Sequence, residues 1–374
     1  MPVDACDVLI AGGGPAGSTC ARQLVAAGLD VLVMDKQKFP RDKVCAGWIT
    51  PAVVKSLHLD IADYSRDRVI QPVYGFQTSI MGAAEVETRY REPASYGIRR
   101  CEFDNYLLRR SGARLLLGES MNSMVRDGDR WFINDRIQTP MVVGAGGHFC
   151  PVARTMRTPP ERGASLVVAQ EIEFPINDQE RSECRLDNRI VQMYFCPDLK
   201  GYGWCFAKGS YLNIGLGRED SHRLSEHVEH FRRWLEQRKI IPRNLRKKFN
   251  GHAYLLYPGS NRTVTGRGVL LIGDAAGLAY AQSGEGIRPA VESGLMAAEV
   301  IINARKDYRQ ENLAPYANLL MQRFGKKNPR PVSKSLVPEK FRQKTAVKLM
   351  QSSWFARHVV IDRWFLHTGQ SVML

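Results

Sequence analysis

Near its start the chain reads Asp7-Val8-Leu9-Ile10-Ala11, followed by Gly12-Gly13-Gly14-Pro15-Ala16-Gly17. The first five residues form a short apolar run, which predicts a buried parallel strand. The next six fit the pattern G-x-G-x-x-G, and Pro15 stands where a helix continuing over residues 18–27 would begin. A second apolar strand, residues 31–34, ends in Asp35. This order of strand, glycine turn, helix and strand predicts a Rossmann-type unit that binds a dinucleotide.

The motif glycines each have a physical role in this prediction. Gly12 permits the tight turn out of the strand, Gly14 lets a pyrophosphate approach the backbone, and Gly17 lets the helix pack closely on the strand. The helix N-terminus offers free N–H groups to the phosphates, and the Asp35 carboxylate would accept hydrogen bonds from a ribose diol. The alternative is a glycine-rich turn without a ligand, and the motif alone does not distinguish FAD from NAD. We expect the cofactor to contact Gly12, Gly13, Gly14, Pro15, Ala16, Gly17, Asp35 and Lys36.

Length and composition limit the class of protein. A chain of 374 residues is longer than one core usually supports, so two domains or one domain with a large insertion are expected. No apolar run approaches the roughly 18 residues that span a bilayer. The first strand begins too early to leave room for a signal peptide, so we expect a cytoplasmic protein. The eight cysteines are scattered without a C-x-x-C pair, so a structural metal is not expected.

The chain is strongly basic, with a net charge of +15. Such a charge suits nucleic acid, an anionic membrane face or acidic ligands such as NADPH. Nothing in the sequence resembles a nucleic-acid-binding module, so no nucleic-acid partner is expected. The last fifty residues are rich in lysine and arginine, and residues 354–366 are mainly apolar with basic residues between them. This segment either lies peripherally on the inner face of a membrane or forms a terminal helix packed on the cofactor domain.

Hydrophobic patterning places further elements along the chain. Thr50 is predicted to cap a short helix that begins at Pro51 and ends at Leu57. Strands are predicted at residues 74–80, 84–90, 114–117, 131–133, 141–144, 167–174, 190–195, 202–206, 212–216 and 269–272. Further helices are predicted at residues 104–111, 225–239, 286–305 and 315–324.

Three segments resemble those of flavoprotein hydroxylases. Gly273-Asp274-Ala275-Ala276-Gly277 resembles their G-D-A-x-x motif, and Arg100 matches an arginine that lies near the FAD pyrophosphate. The resemblance implies that Asp274 binds the ribitol or pyrophosphate side of FAD. It also implies that the helix starting at Gly284, Glu285, Gly286 and Ile287 points its N-terminus at the flavin. Residues 143–147 resemble the G-A-D-G segment, with Gly146 in place of its aspartate.

Within this para-hydroxybenzoate-hydroxylase type of FAD fold, the chain most resembles the geranylgeranyl reductase family. Residues 40–47 resemble that family's F-P-R-x-K-x-C-G-G loop, which lies before the flavin. Residues 202–207 and 215–217 resemble its Y-x-W-x-F-P…G-x-G element, with Ala207 in place of proline. The resemblance covers about residues 1–310. It implies that FAD is the cofactor and is also contacted by Lys43, Cys45, Ala46, Gly47, Arg100, Gly273, Asp274, Gly284, Gly286 and Ile287.

The resemblance implies an α/β fold in which an antiparallel β-sheet substrate domain is inserted into a Rossmann-like FAD-binding domain. The expected FAD-binding domain comprises residues 1–70, 97–157 and 259–310. The substrate domain comprises residues 71–96 and 158–258. Residues 311–374 form a basic helical C-terminal segment.

Members of this family reduce isolated carbon–carbon double bonds of isoprenoid chains. An alkene offers no carbonyl to polarise, so positioning and exclusion of water must do most of the work. Tyr202, Trp204 and Phe206 alternate along a strand and could wall an apolar tunnel, or they could be ordinary sheet core. Cys45 could donate the proton or shape the pocket, or it could be a small buried hydrophobe. The catalytic residues implied by the resemblance are Cys45, Tyr202 and Trp204.

Other polar groups admit two interpretations each. Glu285 could be catalytic or could fix a loop, and His148 could be a base or a structural residue. Arg41 and Lys43 could contact FAD or a substrate phosphate, or lie in a solvated loop.

The sequence predicts an FAD-dependent reductase acting on a long apolar, isoprenoid-like or polyene lipid. NADPH, ferredoxin and a quinol remain alternatives for the electron donor. A flavin-dependent monooxygenase of the same fold is the first rival function. A membrane-associated, non-catalytic flavin- or lipid-binding protein is the second.

Overall fold

The computed structural model describes residues 4–156, 166–220, 223–243, 245, 248–257, 260, 262–326 and 339–374, with backbone only for 166 and 339–343. The strands are β1 (Asp4–Ala5), β2 (Val8–Ala11), β3 (Val31–Asp35), β4 (Trp48–Ile49), β5 (Ile70–Val73), β6 (Gly75–Ile80), β7 (Val86–Arg89), β8 (Ser95–Ile98), β9 (Arg114–Leu117), β10 (Met124–Asp127), β11 (Arg130–Ile133), β12 (Ile137–Thr139), β13 (Met141–Gly144), β14 (Leu166–Pro175), β15 (Ile190–Phe195), β16 (Gly201–Lys208), β17 (Tyr211–Arg218), β18 (Asn250–Leu255), β19 (Thr265–Gly266) and β20 (Val269–Leu271).

The helices are α1 (Pro15–Ala26), α2 (Pro51–Ser56), α3 (Ile61–Tyr64), α4 (Arg100–Arg110), α5 (Pro151–Thr155), α6 (Asp178–Ser182), α7 (Leu224–Gln237), α8 (Ile287–Asn303), α9 (Gln310–Leu313), α10 (Pro315–Phe324), α11 (Glu339–Met350) and α12 (Ser353–Phe355). A 3₁₀-helix covers Gly273–Ala275, and a π-helix covers Ala356–Phe365. The elements predicted from the sequence are found, and most of their ends agree to within a few residues.

The chain divides into two compact units. The first comprises Met1–Asp42, Cys101–Ser165 and Tyr254–Arg330. The second comprises Lys43–Arg100, Leu166–Ala253 and Pro331–Leu374. Both units are therefore assembled from separated stretches of sequence.

The first unit is built on a sheet with the strand order β19-β20-β13-β2-β3-β9. All neighbouring strands from β20 to β9 run parallel, and β19 is an antiparallel edge strand. The central strands are continuous apolar runs because both faces are buried, as expected for a parallel sheet. Helices α1 and α8 approach closely at Gly294, where a Cβ atom would lie 2.6 Å from the carbonyl oxygen of Ala16. A smaller sheet, β1-β12-β11-β10, completes the unit.

The second unit is built on a sheet with the strand order β18-β14-β17-β16-β15-β6-β7. Its pairs are mainly antiparallel, as predicted, but β15 and β6 run parallel. One face packs against α7 through a core that includes Ile172, Tyr194, Cys205, Ile214 and Phe231. Because side chains alternate along a strand, the residues between these point to the opposite face. That opposite face carries the polar and aromatic side chains described below.

The structure divides the chain at different residues from those predicted. The first stretch of the Rossmann unit ends at residue 42 rather than 70. The predicted C-terminal segment is split, because α10 belongs to the first unit while α11, α12 and the π-helix belong to the second. The terminal helix is therefore grouped with the second unit. Its buried residues Val360, Ile361 and Phe365 belong to the substrate unit.

The predicted cap of α2 is corrected in one respect. Thr50 has the extended backbone of an N-cap and Pro51 is the first helical residue, as predicted. The Thr50 side chain, however, makes no capping hydrogen bond, and its buried Oγ1 has no partner among the residues that the structure describes. Proline at the first position removes one free N–H from the helix end, so a side-chain cap is less needed.

Candidate active site

The first glycine motif forms an open, anion-accepting turn at the end of β2. Gly12 has φ +121°, and a Cβ atom there would lie 2.3 Å from the carbonyl oxygen of Ala145. A Cβ atom at Gly17 would lie 2.0 Å from the Gly12 carbonyl oxygen, which explains why the helix can pack so closely. At Gly14 the nearest atom to a Cβ would be an Arg41 guanidinium nitrogen at 3.6 Å. Gly12 and Gly17 thus have the backbone roles predicted for them, and Gly14 leaves space beside the helix N-terminus.

Helix α1 presents that N-terminus without a competing side chain. Its N-cap is Gly14, no side chain caps it, and its first turn carries no acidic residue. The backbone N–H groups and the positive end of the helix dipole are therefore available to a phosphate. Arg41 adds a cation here, held by an ion pair at 3.3 Å with the fully buried Asp104. Arg41 is thus a fixed, paired side chain and not part of a solvated loop.

Asp35 closes β3 beside the same turn. One carboxylate oxygen accepts the Gly13 N–H at 2.8 Å and the other accepts the Gln37 N–H at 2.9 Å. An ionised carboxylate has about four lone-pair positions, so each oxygen can accept a further hydrogen bond. Lys36 follows on the exposed surface. The geometry fits the predicted role of Asp35 as an acceptor for ribose hydroxyls.

The return strand β20 brings a second glycine turn to this region. Gly273 has φ +58°, and a Cβ atom there would lie 3.1 Å from the Ala16 side chain. Asp274 faces the start of α8, since a Cβ atom at Gly286 would lie 3.2 Å from its Oδ1. Gly286 is the N-cap of α8, which again has no side-chain cap, and Ile287 is its first residue. Together with Gly284 (φ +67°), these residues form a second uncapped helix N-terminus in the same unit.

Glu285 is an unpaired carboxylate at this second turn. Both carboxylate oxygens are buried, and neither has a hydrogen-bond partner among the described residues. Burial raises the pKa of Glu285 to about 8, against the smaller opposing effect of Arg288. Arg288 itself pairs with Glu292 at 2.8 Å, so it is not dedicated to Glu285.

The remaining predicted site residues lie in the second unit. Arg100 is the buried first residue of α4. Lys43 contacts the ring of His252 at 2.9 Å, and Ala46 is half-buried. Gly47 has φ +63°, and a Cβ atom there would lie 2.3 Å from the Ile98 carbonyl oxygen. The loop that contains Cys45 therefore turns tightly against β8.

Cys45 is held by its backbone and has a partly exposed side chain. Its N–H donates to Glu171 Oε1 at 3.1 Å, and its Sγ accepts the Gly47 N–H at 3.4 Å. The residue is only half-buried, so the interpretation as a small core hydrophobe does not fit. Glu171 was not singled out from the sequence, because an acid alternating with apolar residues on a strand usually faces solvent.

Trp204 belongs to a buried hydrogen-bond chain that ends at Glu171. The Trp204 indole Nε1–H donates to Asn213 Oδ1 at 2.7 Å, and Asn213 Nδ2 donates to Glu171 Oε2 at 2.6 Å. Gly215 lies opposite Trp204 in the sheet, and a Cβ atom there would lie 2.1 Å from the indole ring. Gly215, the first glycine of the G-x-G pair, therefore leaves the space that the Trp204 ring occupies. Trp204 itself is buried, so its ring lies beneath the exposed surface of this face.

A second, half-buried carboxylate, Glu173, lies two residues along the same strand. Lys208 is fully buried, and its Nζ donates to Glu173 Oε2 at 2.7 Å. Arg99 donates to the other oxygen of Glu173 at 3.0 Å and stacks over the Tyr211 ring at 3.7 Å. The two cations hold the pKa of Glu173 below its usual range despite its burial, so this carboxylate stays ionised.

Aromatic rings continue the same face away from this polar cluster. The Tyr202 ring lies 6.0 Å from Trp204, 5.8 Å from Phe195 and 5.2 Å from Phe365, between ring centres. The Phe365 ring, from the π-helix, stacks on Trp48 at 5.7 Å. Trp48, Phe195 and Tyr202 are each only half-buried. Tyr202 and Trp204 therefore share a face as predicted, and Trp48 and Phe365 are additions that the sequence did not reveal.

The chain is similar to known FAD-binding proteins. The family model described as FAD binding domain matches residues 5–59. Menaquinone reductase of Mycobacterium tuberculosis is 31% identical over 326 residues, covering 80% of this chain and 77% of the relative. Digeranylgeranylglycerophospholipid reductase 3 of Methanosphaera stadtmanae is 27% identical over 351 residues, covering 87% and 85%. A geranylgeranyl bacteriochlorophyll reductase-like structure from Thermoplasma acidophilum superposes with a TM-score of 0.77, at 19% identity and 97% coverage of both chains.

The Rossmann-type sheet, its two uncapped helix ends and the family match define an FAD-dependent oxidoreductase. Within that class, the chain belongs to the geranylgeranyl reductase family. FAD is its cofactor. Among the residues that the structure describes, no helix is long and apolar enough to cross a membrane.

Proposed function

We propose that this chain saturates carbon–carbon double bonds of a long apolar, isoprenoid-like or polyene substrate. Bound FAD supplies the hydride of this reaction from N5 in its reduced form. The observation that carries the proposal is the aromatic face of the second unit. Half-buried Trp48, Phe195 and Tyr202 surround the buried Phe365 ring and make an aromatic surface. Such a surface recognises an unsaturated hydrocarbon by dispersion and burial.

FAD is held, in this proposal, by the residues predicted to hold it. The N-terminus of α1 and Arg41 neutralise the pyrophosphate, and Asp35 accepts ribose hydroxyls. The uncapped start of α8 offers N–H groups that favour negative charge. Gly284 lies just before this helix and Asp274 faces its N-cap, Gly286, which supports the assignment of these residues to the cofactor.

Cys45 is proposed to deliver the proton that must reach the second alkene carbon. Its side chain is partly exposed, and its loop is fixed by Glu171 from below. Trp48 follows three residues later and starts the aromatic surface, so the proton donor and the apolar wall belong to one loop. A Cys45→Ala variant that keeps full turnover would remove this residue from the mechanism.

Product analysis under argon and under air tests the proposed reaction. Dithionite-reduced enzyme is incubated with polyprenyl substrates of graded length, and the molecular masses of the products are measured by mass spectrometry. The proposal predicts a gain of two hydrogen atoms per reduced bond under argon, and no oxygenated product in air. Hydroxylated product that forms only in air would instead establish the flavin monooxygenase of the same fold. No change in any substrate would favour a binding protein without catalysis. Chemical reduction makes the outcome independent of whether NADPH, ferredoxin or a quinol is the natural donor.

We also propose that the C-terminal segment touches an anionic membrane surface. Trp354 is 65% exposed and Leu349 is 44% exposed, which is unusual for large apolar side chains. Exposed cations accompany them in the same segment: Lys344, Lys348, Arg357 and Arg363. An interfacial tryptophan flanked by lysine and arginine is a typical peripheral anchor.

Co-sedimentation of the full chain with liposomes tests this contact. Truncation is unsuitable, because Ile361 and Phe365 are buried in the second unit. Trp354→Ser should reduce binding to phosphatidylserine-containing vesicles several-fold. Phe149→Ser, which removes another exposed aromatic ring far along the chain, is the matched control and should bind as the wild type does. If Trp354→Ser bound the vesicles as well as Phe149→Ser and the wild type do, the segment would not be a membrane anchor.

A further inference from the structure

Glu171 lies at the centre of the polar cluster in the second unit, directly beneath the Cys45 loop. It is 7% exposed and occupies the middle of β14. Its Oε1 accepts the Cys45 N–H at 3.1 Å, and its Oε2 accepts an Asn213 N–H at 2.6 Å. Both oxygens of this carboxylate therefore face hydrogen-bond donors.

The orientation of Asn213 is fixed by its other neighbour. The Trp204 indole nitrogen can only donate, so Asn213 must turn its oxygen to Trp204 and its NH₂ group to Glu171. The same NH₂ group also lies 3.5 Å from the Cys45 carbonyl oxygen. Asn213 is fully buried and has no room to reverse without leaving the indole N–H unpaired. Asn213 therefore offers no hydrogen-bond acceptor to Glu171 when the Glu171 carboxyl group is protonated.

The charge on Glu171 is not compensated by a cation of its own. Burial raises the pKa of Glu171 to about 7, although Lys208 and the N–H groups of Cys45 and Asn213 oppose the rise. Lys208 gives its hydrogen bond to Glu173, which Arg99 also binds. Glu173 adds a repulsive charge from the same strand.

Lys43, two residues before Cys45, contacts the ring of His252. The hydrogen bonds that Glu171 accepts from Cys45 and Asn213 come from uncharged N–H groups.

Protonation would disturb the loop because of this geometry. Protonation removes the negative charge of Glu171, so the charge-assisted hydrogen bonds that the carboxylate accepts from the Cys45 and Asn213 N–H groups become weaker. The bond to Asn213 is the shorter one, and Asn213 is locked by Trp204, so the weaker bond to Cys45 is the one to loosen. The Cys45 N–H and the adjoining turn at Gly47 would then lose their anchor.

We propose that Glu171 is a positioning residue that holds the Cys45 loop in place when ionised and loosens it when protonated. This inference rests on the proposed function only in so far as Cys45 takes part in the reaction. It makes Glu171 a support for Cys45 and not itself the proton donor. The enzyme would accordingly be less active below neutral pH, because protonation of Glu171 loosens the Cys45 loop.

Backbone hydrogen exchange of the Cys45 amide tests the hydrogen bond directly. Exchange of the holoprotein is measured between pH 6 and 8 on peptides that contain Cys45, and each rate is divided by the intrinsic rate at that pH. The ionised fraction of a group with a pKa near 7 changes about tenfold between these limits, so the protection factor should fall by up to that ratio at acid pH. Peptides covering β17 provide the internal control and should show no such change. Constant protection at Cys45, or an equal fall in β17, would overturn the proposal.

Glu171→Gln imitates the protonated carboxyl, since one of its two positions donates and the other accepts. Protection at Cys45 in this variant should be low and should not depend on pH. If the variant fails to fold, the wild-type titration still decides.

A second measurement connects the loop to the reaction. The rate of substrate reduction should show an acid limb near pH 7 in the wild type, and Glu171→Gln should lack it. A limb that persists in the variant would overturn the positioning role, whereas absence of turnover in every variant would contradict the proposed function instead.

Discussion

Replacing Gly215 with alanine should disturb the tryptophan at the centre of the substrate unit. A Cβ atom at Gly215 would lie 2.1 Å from Trp204 Cζ2 and 2.6 Å from Cε2, far below any real contact distance. The indole must move, and its Nε1–H then leaves Asn213 Oδ1, which is fully buried. Overpacking a core costs roughly 1–3 kcal/mol. An unpaired buried acceptor costs about 1–3 kcal/mol more.

The expected total of about 2–6 kcal/mol is a large share of a typical stability of 5–15 kcal/mol. Urea denaturation followed by circular dichroism measures it. Gly217→Ala is the matched control, two residues further along the same strand and face. Its Cβ atom would meet Ala169 at an ordinary 3.5 Å, so its free energy of unfolding should change by less than about 1 kcal/mol.

Removing the larger ring should relieve the clash. Trp204→Phe combined with Gly215→Ala should cost clearly less than the sum of the two single changes, by about 1 kcal/mol or more. Equal urea midpoints for Gly215→Ala and Gly217→Ala would refute the reasoning. Strict additivity in the double variant would do so independently, because it would mean that the two residues do not compete for space.

Three further changes test other parts of the molecule. Gly14→Ala should leave the urea midpoint of the apoprotein unchanged, since its Cβ meets nothing closer than 3.6 Å, but should weaken FAD binding at least tenfold, about 1.4 kcal/mol, by flavin fluorescence titration. Glu285 has a pKa raised from 4.5 to about 8, so its contribution to stability is present at acid pH and is lost as pH rises through 8. Glu285→Gln should therefore raise the melting temperature relative to wild type more at pH 9 than at pH 6, and an equal effect at both would contradict the raised pKa. Phe365→Ala should cost about 3–5 kcal/mol in urea and shift substrate preference towards bulkier chains, whereas unchanged preference would place Phe365 outside the substrate surface.

Local patterns predicted the framework of this chain well, for identifiable physical reasons. The strand at residues 8–11 is apolar throughout because it is buried on both faces of a parallel sheet. Helix α7 shows its buried stripe at Val228, Phe231 and Leu235, which matches the helical period. Glycines that avoid backbone clashes, such as Gly12 and Gly17, occur at fixed spacing and are therefore visible in the sequence.

The polar cluster could not be predicted because its contacts join distant parts of the chain. Glu171 and Glu173 alternate with Ile172 and Phe174, which is also the pattern of a strand with one face in solvent. The Cys45 loop, from 126 residues earlier, and Arg99 cover that face and make it an interior. Trp204 and Gly215 were both noted as motif residues, but their direct opposition follows from the β16–β17 register, which no local pattern contains.

The buried face of the C-terminal segment could not be predicted for a different reason. Its buried residues Ala356, Val360, Ile361 and Phe365 follow a π-helix, in which residues four to five apart share a face. A search for the α-helical period does not reveal this face. The basic residues around it then suggested a separate segment, although Phe365 contributes directly to the aromatic surface.

Anaerobic reoxidation of the reduced enzyme tests the central claim most directly. The holoenzyme is reduced with one equivalent of dithionite, mixed with a polyprenyl substrate in a stopped-flow instrument, and followed by flavin absorbance. The proposed function predicts that oxidised flavin reappears without oxygen, with one saturated double bond formed per flavin. Flavin that remains reduced until oxygen is admitted, with every polyprenyl acceptor tried, would contradict it.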